Sequence, residues 1–330
     1  MNIGLIGCGG VGAYHAMLYK LIENANVVAV CDVNLEKARL FARNNKIEKY
    51  FQNHLDLLEM KNLDFVDVCT PTSTHAPIAF DIIKSGINVL LEKPLARTSE
   101  LCDQIISEAE KHHVKVCVCH NQIFYPSVRK VKSMIDQGDI ELVSFKTFDK
   151  ENGDLLPPWT ATAAEGGILW ETGYHLAYLQ RFFLKEIKEV LAVGSKVKYP
   201  VYDNFCVLLR TPSRCFGTIE LSWLAKKMDV FYEVDTSDGR RIQLDRVSDY
   251  VLDAPANTTE MALFQVKRIL SRRLTKHYFR GHFRLLKAFM DSVKNDLPSP
   301  VPPIEGKKTL QLLECIQKSL DEGKVIRVPN

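Results

Sequence analysis

Short apolar runs recur along the first part of the chain, and helical periods separate them. The runs are "NIGLIG" at the start, "NVVAVCD" ending at Asp32, "LDFVDVCT" (63–70), "INVLLEK" (87–93) and "VKVCVCH" (114–120). Between the first two, apolar or bulky residues fall at Val11, Tyr14, His15, Leu18 and Leu21, one face of a helix; further helices are expected over about 75–85 and 99–113. Strands without alternation, separated by helices and short connections, predict a parallel sheet covered on both faces.

The pattern changes after a helix expected over about 125–137. Segments 141–149, 186–197, 204–211, 215–224 and 231–245 read as strands, with tight turns at "TPSR" and "SDGR". Successive strands of this kind predict a mostly antiparallel sheet. Two closing helices, 282–294 and 307–322, carry apolar faces at Leu285, Phe289 and Val293 and at Leu310, Leu313 and Ile316. The expected architecture is thus α/β plus α+β: a doubly wound parallel sheet over 1–121, and an open-faced, mostly antiparallel sheet domain over 122–330 whose last helices pack back on the first domain.

Composition sharpens this picture. The chain has 330 residues, 46% apolar and 25% charged, which suits two folded domains without a disordered tail. The start lacks a basic leader and no apolar run approaches membrane-spanning length, so a cytoplasmic location without integral membrane association is the expectation. Nine scattered cysteines include no CxxC pair, so neither a structural zinc site nor a disulfide framework is expected. A net charge of +3 is too small to imply nucleic acid, although Met261 to Met290 holds eight Lys or Arg and no acid. A basic, solvent-facing helix is the simple reading of that segment; a phosphate, a nucleotide sugar or an anionic surface is the alternative.

Candidate chemistry begins at "GCGGVG", Gly7 to Gly12, placed between a strand and a helix and followed by a second strand that ends in Asp32. In such a unit Gly7 permits the tight turn, Gly9 admits the pyrophosphate, and Gly12 lets helix and strand pack closely. Gly10 and Val11 complete the turn. Asp32 suits the ribose 2′-hydroxyl and repels a 2′-phosphate, so NAD is expected rather than NADP. Three further groups fall at the carboxyl ends of later strands, where ligands of such sheets bind: Thr70, Pro71 and His75 in "TPTSTH", Glu92 and Lys93 in "EKP", and Asn121 after His120.

With these residues in place the sequence resembles the Gfo/Idh/MocA oxidoreductases. The resemblance rests on "GCGGVG", "TPTSTH", "GINVLLEKPLA", the frame of Asn121, Phe124 and Pro126, "GGILWETGYH", and the closing "FMDSVKNDLPSPV" and "GKKTLQLLECIQKSLDEGKVIRV". It implies a Rossmann domain, an open-faced substrate domain whose outer face forms a homodimer or homotetramer, and a sugar or cyclitol substrate. It also implies that the Lys of the Lys-Pro pair, here Lys93, reaches the substrate hydroxyl beside the nicotinamide. The family's GGxxxDxGxH falls on Gly166 to His175, with Glu171 in place of the usual Asp and His175 kept; an Arg common before the family's Phe is Ile123 here.

Oxidation of a secondary alcohol needs a hydride acceptor and a base for the hydroxyl proton. An imidazole titrates near neutrality, which makes His175 the candidate base. Lys93 is the candidate donor to the substrate oxygen. Glu171, one helical turn before His175, can hold substrate hydroxyls or fix the ring. Tyr125 and Trp159 are further candidates for substrate contact, whereas Trp170 and Tyr174 fit core and sugar platform equally. Two other readings use the same residues: cleavage of a glycoside through transient oxidation, and a regulator that senses NAD or sugar without turnover.

Overall fold

Five of the six strands in the first sheet are among the most apolar stretches of the chain, and most of their residues are buried. The structure is a computed structural model that describes residues 1–156, 158–162, 166–244, 251–254, 266 and 280–329. It divides into two units, one of residues 1–121 and 282–308, the other of residues 122–281 and 309–330.

In the first unit, β1 (Asn2–Ile6), β2 (Asn26–Cys31), β3 (Lys49–Phe51), β4 (Phe65–Val68), β5 (Asn88–Leu91) and β6 (Val116–Val118) form one sheet in the order 3-2-1-4-5-6. Every pairing is parallel. Helices α1 (Gly10–Tyr19), α2 (Leu35–Asn45), α3 (His54–Leu58), α4 (His75–Lys84) and α5 (Ser99–Lys111) occupy the connections. The side chains of Leu5, Val66, Val89 and Leu90 are wholly buried, each contributing about 1.5–3 kcal/mol relative to exposure. Local signals set the helix ends: the Asn34 side chain accepts from Lys37 N–H at the start of α2, and that of Thr98 from Leu101 N–H at the start of α5.

The strands are shorter than the apolar runs suggest. The run over 63–70 narrows to Phe65–Val68 and that over 114–120 to Val116–Val118. Two later segments join this unit. Val118 N–H donates to Val301 O (3.0 Å), and Phe289 packs edge-on against Phe65 with ring centroids 5.2 Å apart. Phe289 belongs to α8 (Arg280–Lys294), a helix for which the apolar face at Leu285 and Phe289 was visible in the sequence.

The second unit begins with α6 (Pro126–Gln137), which has proline in its first turn and ends at Gly138 in the left-handed region (φ 80°). Its sheet has eight strands in the order β13-β12-β11-β7-β10-β9-β8-β14. These are β7 (Leu142–Asn152), β8 (Glu189–Ser195), β9 (Asn204–Arg210), β10 (Phe216–Ser222), β11 (Leu224–Thr236), β12 (Arg241–Leu244), β13 (Val251–Ala254) and β14 (Ile326–Arg327). All neighbours are antiparallel except β7 and β10. That pair is parallel because α7 (Ile168–Leu184) intervenes after β7, and the chain returns beside it only with β10.

One face of this sheet packs on α7. Phe145, Val207, Leu209, Ile219, Leu221 and Tyr232 are buried with Leu176 and Leu179 in one cluster, joined by Leu312, Leu313 and Ile316 of α9 (Pro303–Glu322). The opposite face of β9 shows Asn204, Cys206, Leu208 and Arg210 to solvent, the alternation of a sheet with one open side. Most of the basic segment 261–290 lies outside the described residues. No helix among the described residues is long and apolar enough to cross a membrane.

Candidate active site

All six strands of the parallel sheet end at one edge, and lateral hydrogen bonds tie those ends together. Gly7 N–H donates to Cys31 O (2.8 Å), Cys69 N–H to Ile6 O (2.7 Å), Glu92 N–H to Val68 O (3.0 Å) and Cys119 N–H to Leu91 O (2.9 Å). The turn from Gly7 to Gly12, Asp32, the loop from Thr70 to His75, the Glu92–Lys93 pair and Asn121 are therefore brought together along this edge. Strand order reverses between β1 and β4, the place where doubly wound sheets open a crevice.

The glycines divide by function. Gly7 has φ 102°, and a Cβ there would lie 2.5 Å from Cys69 O; at Gly12 it would lie 2.0 Å from Gly7 O. Those two are demanded by the fold. At Gly9 and Gly10 a Cβ would meet no atom within 4 Å, so open space lies over the turn. Helix α1 starts at this point with no side-chain cap on Gly9 and no acid in its first turn, which leaves amide N–H groups and the positive helix end facing that space. An anionic pyrophosphate fits such a cradle. Val11 is exposed beside it.

Asp32, at the end of β2, is buried and ordered from three sides. Its Oδ2 accepts from Cys8 N–H and its Oδ1 from Asn34 N–H, both at 3.0 Å, while Lys37 Nζ lies 3.0 Å from Oδ2. Burial alone would raise its pKa, but the two amides and Lys37 outweigh it and hold the carboxyl below its ordinary value. His75 bridges two loops of the edge, with Nδ1 2.7 Å from Pro94 O and Nε2 2.9 Å from Thr70 O. Burial dominates there and pushes the imidazole pKa down. Thr70 is half-buried and Pro71 exposed at the start of this loop.

Glu92 is buried, and its Oε2 accepts from Lys93 N–H at 3.0 Å. Lys93, half-buried, follows on a cis peptide to Pro94. Behind them lies a polar cluster that the sequence did not announce. His15 Nδ1 and Tyr19 Oη each lie 2.8 Å from Asp67 Oδ2, and all three side chains are buried. His15 Nε2 faces Glu92 Oε1 at 3.3 Å. Asn121 Nδ2 lies 3.1 Å from Nδ1 of His282, whose ring packs against those of Tyr14 and His15. Burial works against a charge on His15, yet Cys69 and Asp67 beside it reverse the balance and raise its pKa well above the ordinary value. His282 is pushed down to about 3, first by burial and then by the positive charge of His15.

In the second unit, Gly166 and Gly167 launch α7 with φ 77° and 68°, a geometry that favours glycine. A Cβ would strike Trp170 Cδ1 at 2.0 Å from the first and Val201 Cγ2 at 2.4 Å from the second. Glu171 stands exposed in the first turn of the helix and His175 is half-buried one turn later. His175 Nδ1 lies 2.9 Å from Tyr178 Oη, which accepts from Gln122 N–H at 3.0 Å. Gln122 Oε1 in turn accepts from Tyr232 Oη at 2.9 Å. Tyr125 and Tyr174 are buried in the core cluster, with Trp170 packed at its margin. The Trp159 side chain lies outside the described residues, although the backbone there forms a 3₁₀ turn over Pro158–Ala161. Lys93 falls in the first unit, Glu171 and His175 in the second.

A parallel sheet with this strand order, glycine turn and acid is the apparatus of an NAD-binding oxidoreductase. Residues 1–120 match the oxidoreductase family with NAD-binding Rossmann fold, and residues 128–241 match the GFO/IDH/MocA C-terminal domain. The chain belongs to the Gfo/Idh/MocA family. It is 29% identical to the myo-inositol 2-dehydrogenase of Thermotoga maritima, over 99% of this chain and 98% of that one. It is 25% identical to the D-apiose dehydrogenase of Paraburkholderia graminis, over 71% of this chain and 65% of the relative. Its structure resembles that of a probable dehydrogenase from Thermotoga maritima with a TM-score of 0.85 and 26% identity, covering 99% and 98% of the two chains.

Several residues around these sites escaped the reading of the sequence: His15, Asp67, Cys119 and His282 in the first unit, Gln122 and Tyr178 in the second. Tyr178 carried a signal, since it stands three positions after His175 on a helix. Asp67 carried another, as an acid inside a strand whose four residues are all buried.

Proposed function

We propose that this chain transfers hydride between NAD, preferred over NADP, and a secondary alcohol or ketone on the ring of a sugar or cyclitol. The observation that carries the reading is the sheet edge of the first unit, where the open glycine turn and Asp32 stand beside the strand end that bears Lys93. The relatives that act on myo-inositol and D-apiose support the substrate class.

A bound nicotinamide would supply the hydride acceptor for oxidation of the substrate carbon, or the hydride for reduction. The chain's own residues do the rest. The amides at the start of α1 hold the pyrophosphate, and Asp32 accepts from the ribose hydroxyls. The Lys93 ammonium donates to the reacting oxygen and stabilises its negative charge as the proton leaves. Nε2 of His175 takes that proton, while Nδ1–H donates to Tyr178 Oη and fixes the tautomer. Glu171, exposed on the same helix, accepts from neighbouring substrate hydroxyls.

The test is a screen of inositols, aldoses, uronic acids, sugar phosphates and nucleotide sugars with NAD and NADP, followed by NADH absorbance. Turnover is expected with NAD, and Lys93→Ala and His175→Ala should each lower kcat by about 10²–10⁴-fold. Retention of full kcat in either variant would remove that residue from the mechanism. Consumption of a glycoside without net NADH would replace simple dehydrogenation by transient oxidation.

A further inference from the structure

Behind the candidate cofactor edge, four side chains from separate elements converge: His15 of α1, Glu92 after β5, Cys119 after β6 and His282 in the first turn of α8. One donor atom from each lies within 4.8 Å of every other. His15, Glu92 and Cys119 are buried and His282 is half-buried. Nε2 of His15 and Oε1 of Glu92 are both shielded from solvent, and neither makes a hydrogen bond.

The separation of those two atoms is informative. At 3.3 Å they face each other without hydrogen-bond alignment. Two ligands each about 2.0–2.1 Å from a tetrahedral cation stand roughly 3.3 Å apart. The outer contacts point the same way. His15 turns its other nitrogen, Nδ1, onto Asp67 at 2.8 Å, the carboxylate–histidine arrangement that orients an imidazole toward a metal. Glu92 has its second oxygen fixed by Lys93 N–H at 3.0 Å, which leaves Oε1 toward His15. Asn121 Nδ2 stands 3.1 Å from Nδ1 of His282; with its amide turned, its oxygen would accept from Nδ1–H and leave Nε2 for a metal. Protons shared among His15, Glu92 and the neighbouring Cys119 thiol would leave His282 outside the arrangement, whereas a cation serves all four groups.

We propose that His15, Glu92, Cys119 and His282 bind one borderline divalent transition-metal cation, zinc or a chemical equivalent, which clasps α1 and α8 to the carboxyl ends of β5 and β6. Two imidazoles, one thiolate and one carboxylate select such an ion over magnesium or calcium, which take oxygen ligands. Four protein ligands leave no open position, so the site is structural. The donor atoms, all within 4.8 Å of one another, draw together on binding, and the Cys119 thiol and the His15 imidazolium each give up a proton to solvent as they become ligands. Because Glu92 immediately precedes Lys93, occupancy also fixes the backbone from which that side chain extends. CxxC spacing could not show this site, since its ligands are contributed one by one from across the unit.

The experiment is a Co²⁺ titration of the full chain after chelator treatment, read without substrate or cofactor. One equivalent should bind with a thiolate-to-cobalt charge-transfer band and the visible absorption of a tetrahedral ion, and Zn²⁺ should bleach both. Cys119→Ser should abolish the charge-transfer band, and His282→Gln should weaken Co²⁺ binding by at least about tenfold, circular dichroism showing both variants folded. Cys206→Ser, at an exposed cysteine of the second unit, should leave the spectrum unchanged. Absence of the band in the wild-type protein, or its loss in Cys206→Ser with retention in Cys119→Ser, would overturn the proposal. Should Cys119→Ser fail to fold, the wild-type spectrum and His282→Gln still decide it.

Discussion

Lys37 reaches back along the first turn of its helix to place Nζ 3.0 Å from Oδ2 of Asp32. The pair holds both charges needed to choose between two cofactors: Asp32 repels a 2′-phosphate, and Lys37, once released, can attract one. Asp32→Ser should therefore move the ratio of NAD to NADP affinity toward NADP by about 10–100-fold, equivalent to about 1.4–2.8 kcal/mol. Further removal of the cation in Asp32→Ser/Lys37→Ala should reverse most of that gain. Dissociation constants for the two reduced cofactors, measured by fluorescence, check both statements. An unchanged ratio in Asp32→Ser would dismiss this acid as the discriminating group.

Glycines of one motif should respond in opposite ways. Gly9→Ala and Gly10→Ala place a methyl in open space, so the fold should keep its melting temperature while NAD binding weakens by about tenfold or more. Gly12→Ala drives a methyl to 2.0 Å from Gly7 O, a backbone atom that cannot move aside, and should lower stability by several kcal/mol or prevent folding. Thermal melts with and without NAD separate the two outcomes. Equal melting losses at Gly9 and Gly12 would contradict this division.

What the sequence showed clearly was whatever lies close along the chain. Ile3 to Ile6, the glycine turn and Asp32 form one strand–turn–helix–strand unit, and Glu92 and Lys93 directly follow an apolar run. Their places on the sheet edge follow from the parallel order alone. Contacts between distant positions were not legible: His15 meets Asp67 across 52 residues, and Asn121 meets His282 across 161. The parallel pairing of β7 with β10 was hidden for the same reason, since strand patterning reveals which face is buried and leaves the neighbour unspecified.

His75 makes stability depend on pH. Its pKa in the folded protein lies below the ordinary 6.5, because burial disfavours the imidazolium more than the carbonyls of Pro94 and Thr70 favour it. Below 6.5 the unfolded chain therefore takes up a proton that the folded chain refuses, and stability falls as pH drops through this window. The slope from this group approaches about 1.4 kcal/mol per pH unit until the folded pKa is reached. Urea unfolding between about pH 7 and about pH 5 should show a shallower decline in His75→Gln, which cannot titrate but keeps an N–H for a carbonyl. Parallel declines in the two proteins would mean that other groups carry the dependence.

Tyr178 offers a test of the proposed base that leaves the imidazole in place. Its oxygen lies 2.9 Å from His175 Nδ1 and is itself set by Gln122 N–H at 3.0 Å. Tyr178→Phe removes that oxygen from a well-buried ring and leaves Nδ1 without this contact, so the wrong tautomer and a looser ring become accessible. The proposed mechanism then predicts a kcat lower by about tenfold with KM little changed, and a displaced acidic limb in the pH profile of kcat. A simple packing defect would lower the melting temperature and leave the position of that limb unaltered. Gln122→Ala removes the side-chain link to Tyr232 but retains the backbone N–H that sets Tyr178, so its pH profile should stay close to that of the wild type. If instead Tyr178→Phe keeps both kcat and its pH profile, His175 either needs no orienting partner or is not the group that takes the proton.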